Sequence, residues 1–215
     1  REAGQYEDAL KLITALDPPT AEGAVAGGAD SALDVMLIRL LENKPEAAEK
    51  AGESLRDKSP IYDRSFARLM SGADKTPDTT LLAGAMPSLV YATLAAVPPD
   101  QRASTLPILA HDPRVIAGDV ETLLKQVGTG PESASRLREL ALAERLQEAQ
   151  WSTSALHVLD GLDKSMSAPL SASLVMRHQA LTMLHQTKAA DGVRDRLYAA
   201  FQKAPDAAAP SVRIL

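Results

Sequence analysis

A chain of 215 residues with 45% hydrophobic and 24% charged side chains is long enough to bury a sizeable core, as one domain or one short repeat array. Its formal net charge of −5 disfavours a polyanionic partner, and its one tryptophan, four tyrosines and two phenylalanines are too few for a base-stacking platform, so nucleic acid is not an expected partner. The absence of cysteine excludes disulfides, thiolate metal sites and cysteine nucleophiles.

Alanine and leucine supply most of the apolar mass, and an aromatic share of 3% leaves strands without their favoured residues, which predicts an all-α protein. The first helix is expected over 5–16, with Tyr6, Ala9, Leu10, Ile13 and Leu16 recurring at i, i+3, i+4, i+7 spacing. Asp17-Pro18-Pro19 stops it. Residues 20–30, rich in Gly and Ala, read as a connection. Asp30 or Ser31 then caps a helix through Leu41, carrying Leu33, Met36, Leu37, Leu40 and Leu41 on one face. After a turn at 42–44, Pro45 suits the first position of a helix over 45–55, and the two form an αα-hairpin. Ser59-Pro60 opens another helix to Met70, with Phe66 and Leu69 facing inward.

Over 79–96, Pro87 either kinks one helix or begins a second. The most apolar run, 81–97, is broken by Gly84 and Pro87 and falls short of the roughly 18–20 apolar residues of a membrane span, so no membrane insertion is expected. Pro98-Pro99-Asp100 predicts a helix to about Ala110, with Pro107 near its end. Helices follow over 119–127 and 132–147, the second being the longest amphipathic stretch, then over 171–185 and 188–203. Residues 207–215 read as a loosely ordered tail.

The segment 155–163 (ALHVLDGLD) echoes 9–17 (ALKLITALD) position for position, and Trp151 stands in the place of Tyr6. Gly4, Tyr6 and Ala9, followed by an aliphatic run closed by Asp-Pro, resemble the second half of a tetratricopeptide (TPR) repeat. In that resemblance Gly4 relieves the turn between two antiparallel helices, Tyr6 wedges into it, and Ala9 lets the helix backbones approach. Ala190 and Pro205 give the last helix pair the same look. The resemblance covers 1–18 and 133–206, with a diverged helical middle over 20–130. It implies a single helical-repeat domain over 1–206, an antiparallel helix-hairpin solenoid of about 10–12 helices. The chain begins at Arg1 in what reads as the turn after a helix, which suggests a piece of a longer protein.

Candidate chemistry is sparse. His111-Asp112 spells the dipeptide of metal-dependent phosphohydrolases, but matching ligands are missing around it and Pro113 would end the helix they require. His178 and His185 are seven residues apart on one predicted helix, roughly 10 Å along the axis and too far to share a metal. His157 is expected to face solvent. No Walker loop, dinucleotide glycine fingerprint, HExxH or G-x-S-x-G elbow occurs. Glu139, Glu144 and Glu148 interleave with Arg136, Arg138 and Arg145 as surface ion pairs of one helix. No enzyme activity, cofactor or metal is therefore expected.

TPR arrays hold a peptide or helix of another protein in a groove lined by the first helix of each pair. By that resemblance the partner-binding candidates are Arg136, Arg138, Glu139 and Arg145. The Lys, Asn and Arg set that clamps a terminal carboxylate cannot be assigned. The expected role is a non-catalytic protein–protein scaffold or adaptor in a larger bacterial assembly. Second comes a self-associating domain of a longer polypeptide (a homo-oligomer), and third a helical enzyme domain completed by residues outside this chain. The compartment is open, cytoplasmic or periplasmic.

Overall fold

The computed structural model describes residues 3–20, 24–53, 61–73, 86–109 and 117–203. Among these the chain is all-helical: α1 (Ala3–Leu16), α2 (Ala29–Leu41), α3 (Pro45–Glu53), α4 (Ile61–Ser71), α5 (Pro87–Ala96), α6 (Leu106–Leu109), α7 (Ala117–Val127), α8 (Ser133–Glu148), α9 (Ser152–Lys164), α10 (Ser171–Met183) and α11 (Thr187–Lys203). The contacts fall into two compact units, Arg1–Lys75 and Thr76–Leu215. The predicted tail over 207–215, His111-Asp112 and the first five residues (81–85) of the apolar run 81–97 lie outside the described residues.

In the first unit α2 supplies the core through Ala32, Val35, Met36, Leu37, Ile38 and Leu40, met by Ala48 and Ala51 of α3 and Phe66, Ala67 and Leu69 of α4. α3 and α4 approach closely because Gly52 lacks a side chain: a Cβ there would lie 2.7 Å from the Ala67 Cβ. Neither Asp30 nor Ser31 caps α2. Gly28 holds that place without a side-chain bond. The Gly-rich connection is instead folded onto the end of α1. The Gly28 amide donates to Asp17 Oδ2 at 2.6 Å, and a Cβ on Gly27 would collide with the Pro18 carbonyl oxygen at 2.7 Å.

The second unit is built around α8, which packs against α5, α7, α9 and α10. Leu137, Leu140, Ala141, Ala143 and Leu146 of α8 are fully buried, as are Ala155, Leu159 and Leu162 of α9. Pro87 begins α5 rather than kinking a longer helix, since a proline at the first position forgoes no intrahelical bond. The helix expected over 98–110 is replaced by a short 3-10 turn over Arg102–Thr105 and the one-turn α6. α10 and α11 close on each other through Leu174, Leu181, Ala190, Val193 and Leu197.

Three hairpins share one turn. α2–α3, α8–α9 and α10–α11 each pass through a residue in the left-handed region: Asn43 (φ 57°), Gln150 (φ 63°) and His185 (φ 58°). The following amide reaches back five residues, Lys44 to the Arg39 carbonyl at 2.8 Å, Trp151 to Leu146 at 2.7 Å and Gln186 to Leu181 at 2.9 Å. These bonds satisfy carbonyls that a helix end leaves open. Five residues after each left-handed residue stands a buried alanine, Ala48, Ala155 or Ala190. A methyl-sized side chain there lets the second helix lie close against the first. Gly4 and Ala9 have the same spacing, but α1 starts at Ala3, so Gly4 lies in its first helical turn and not between helices. Ala9 is half-buried where Ala155 is fully enclosed.

Candidate functional site

The predicted partner-binding side chains lie on α8, and its enclosure sorts them. Arg145 is 4% exposed, inside the packing, with a guanidinium nitrogen 3.5 Å from Glu148 Oε2. It does not line an open groove, because α8 is covered on several sides. Arg136, Arg138 and Glu139 are half-buried. Arg136 pairs with Glu132 at 2.6 Å and donates to the Val127 carbonyl at 3.2 Å, tying the α7 terminus to α8. Burial pushes the Glu139 carboxyl up, opposed by the Ser135 hydroxyl at 3.4 Å and by the Arg136 charge.

The end of α8 carries a polar cluster that spacing alone reads as surface ion pairs. It is an inward-facing group. The buried Ser88 of α5 donates to both carboxylate oxygens of Glu148, at 2.8 and 3.0 Å. Burial, and then the nearby Glu148 charge, pushes the Glu144 carboxyl up to about 7. The Tyr91 hydroxyl is raised by burial and by the charges of Glu144 and Asp119. Burial and neighbouring negative charge thus favour proton retention at two groups of this cluster, the Glu144 carboxyl on α8 and the Tyr91 hydroxyl on α5.

An open polar groove of about 360 Å³ lies across α9, α10 and α11, lined by Asp160, Asp163, Lys164, Arg177 and Arg196. Arg177 bridges the two aspartates, with 2.5 Å to Asp160 and 2.9 Å to Asp163, and the buried Ser173 donates to Asp163 at 2.7 Å. That fork holds α10 on α9. Lys164 and Arg196 are exposed and form no ion pair with the described residues, so the groove offers two cations to a visitor. Spacing arguments miss these residues because they come from three helices. The sequence gives no local hint of them, since Asp160 stands four residues before Lys164 and reads as its surface partner.

Among the described residues the histidines do not converge. His157 is exposed, His178 is half-buried, and His185 has left α10 to occupy the left-handed turn position rather than sharing a helix face with His178. Among the described residues no group of three or more His, Asp or Glu side chains could hold a metal ion. Nor is any described helix long and apolar enough to cross a membrane. No protein-family model, no curated protein and no solved structure matches the chain.

Proposed function

We propose that this chain is a TPR-like helical scaffold that binds other proteins and performs no chemistry of its own. The observation that carries the reading is the shared turn: three helix pairs are closed by the same left-handed residue, the same back-reaching amide and an alanine at the same interval. Repeated pairs of this kind leave polar faces on offer while their cores are filled by neighbours. The groove across α9–α11 is the face best suited to a partner. Arg177 is locked by its aspartates, which leaves Lys164 and Arg196 to meet carboxylates of an acidic segment.

Affinity capture with the full chain as bait, followed by purification of the complex and light scattering, tests the reading. A stoichiometric complex with a different protein, weakened by the double substitution Lys164→Glu and Arg196→Glu, is the expected result. A chain that only self-associates would replace the adaptor role with an oligomerisation role. Turnover of a substrate by the purified chain would overturn both.

A further inference from the structure

The groove across α9–α11 is lined by three cations, Lys164, Arg177 and Arg196, and the way Arg177 is held sets it apart from the other two. Asp160 stands four residues before Lys164 on α9, the spacing of a helix-surface ion pair. Its carboxylate goes instead to Nη1 of Arg177 on α10, and Lys164 keeps no ion pair with the described residues. The two aspartates on Arg177 are unlike. Asp163, 20% exposed, takes Nη2 at 2.9 Å and is fixed from behind by the hydroxyl of the buried Ser173. Asp160 is 54% exposed, and Arg177 is its one side-chain partner among the described residues. Asp163 with Ser173 is enough to tie α10 to α9, while Asp160 neutralises Arg177 from the exposed wall of the groove.

We infer that Asp160 is a resident stand-in for the ligand carboxylate: it occupies Arg177 until an acidic segment of a partner protein displaces it, and so sets the affinity of the groove. At rest the two aspartates offset all but one of the three positive charges in the lining. With Asp160 turned out to solvent, all three cations face the visitor against Asp163 alone. The exchange costs little, because an exposed ion pair contributes little to stability and the arginine nitrogen loses no bond when one carboxylate replaces another. The present occupant also selects the ligand chemistry, since the place at Nη1 already accommodates a carboxylate. The inference rests on the groove reading proposed above and adds to it the residue that regulates the site.

The probe is a fluorescein-labelled hexaglutamate peptide, titrated into the full chain at low salt and followed by fluorescence anisotropy. Asp160→Asn leaves Arg177 a side-chain oxygen to bond and removes the competing charge, and should tighten binding by about threefold to tenfold. Asp195→Asn is the control. It removes the same charge from an exposed position on α11 outside the groove lining and should change binding by less than about twofold. The far-ultraviolet circular dichroism of both variants should match the wild type, since both side chains are exposed. Equal gains in the two variants overturn the inference, because Asp160 would then act as any surface charge does. So does the absence of a gain in Asp160→Asn, or a peptide that binds neither that variant nor the wild type. A captured protein that is lost with Lys164→Glu and Arg196→Glu, but held alike by the wild type and Asp160→Asn, removes the stand-in and leaves the groove reading in place.

Discussion

Replacing Glu144 with glutamine removes a carboxyl that the fold prefers protonated. Its pKa rises from the ordinary 4.5 to about 7 because α5 and α8 strip it of water and Glu148 adds a like charge. The native state therefore keeps a proton that the unfolded chain gives up across that window, and stability falls as pH climbs from about 4.5 to about 7. At about 1.4 kcal/mol per pH unit this amounts to about 3 kcal/mol, trimmed to about 2 kcal/mol by the water that still reaches one edge of the side chain. Glu139, also raised by burial, adds a fall of the same sign. Urea unfolding followed by the fluorescence of Trp151, the single tryptophan, reads the second unit at the α8–α9 turn. The wild type should be less stable at about pH 8 than at about pH 5. Glu144→Gln should lose most of that slope, match the wild type at the lower pH and exceed it at the higher by about 2 kcal/mol. An unchanged slope in the variant would refute the placement of this carboxyl in a dry, acidic neighbourhood.

Other substitutions test the packing. Gly52→Ala sets a rise in helix propensity of about 1 kcal/mol against a collision with the rigid Ala67 Cβ, and a net loss of about 1–2 kcal/mol in chemical denaturation is expected. Gln150→Gly should raise stability by about 0.5–1 kcal/mol, because a left-handed residue with a Cβ is strained, whereas Gln150→Val should lower it; thermal melts check both. The echoing positions should respond unequally. Leu162→Ala empties a fully buried site and costs about 3 kcal/mol, while Leu16→Ala at the exposed end of α1 costs less than about 0.5 kcal/mol, both read by urea unfolding followed by far-ultraviolet circular dichroism, which reports on the helices of both units. Arg102, 2% exposed, donates to the Val97 carbonyl and the Ser133 hydroxyl. Arg102→Ala should therefore cost about 2–4 kcal/mol, and Arg102→Met, which keeps the packing, distinctly less.

The helices were legible because leucines and alanines recur at helical spacing and prolines fall between them. Pro45 and Pro87 mark starts that the structure keeps. The stretch after Pro98 departs from expectation: Pro98-Pro99-Asp100 has the look of a helix start, but the chain makes a 3-10 turn that lets Arg102 reach back to Val97. The kinship of the α2–α3 turn with the two C-terminal turns was hidden, because a glycine was the expected signature and Asn43, Gln150 and His185 occupy the left-handed place instead. Asparagine tolerates that conformation by local hydrogen bonding, and the paired back-bonds of the turn hold the other two. The candidate site was least legible. Glu144, Arg145 and Glu148 have the spacing of solvated pairs, and only the arrival of α5 with Ser88 turns them inward. The groove cations Lys164 and Arg196 depend on α9, α10 and α11 meeting, which no local pattern announces.

The common turn makes each hairpin a cassette. Its two helices enter and leave with the same offset whatever residue occupies the bend, since register is held by backbone amides and an alanine methyl. The residue at the bend is thereby free to differ, as Asn43, Gln150 and His185 do, without altering how the two helices of its own pair meet.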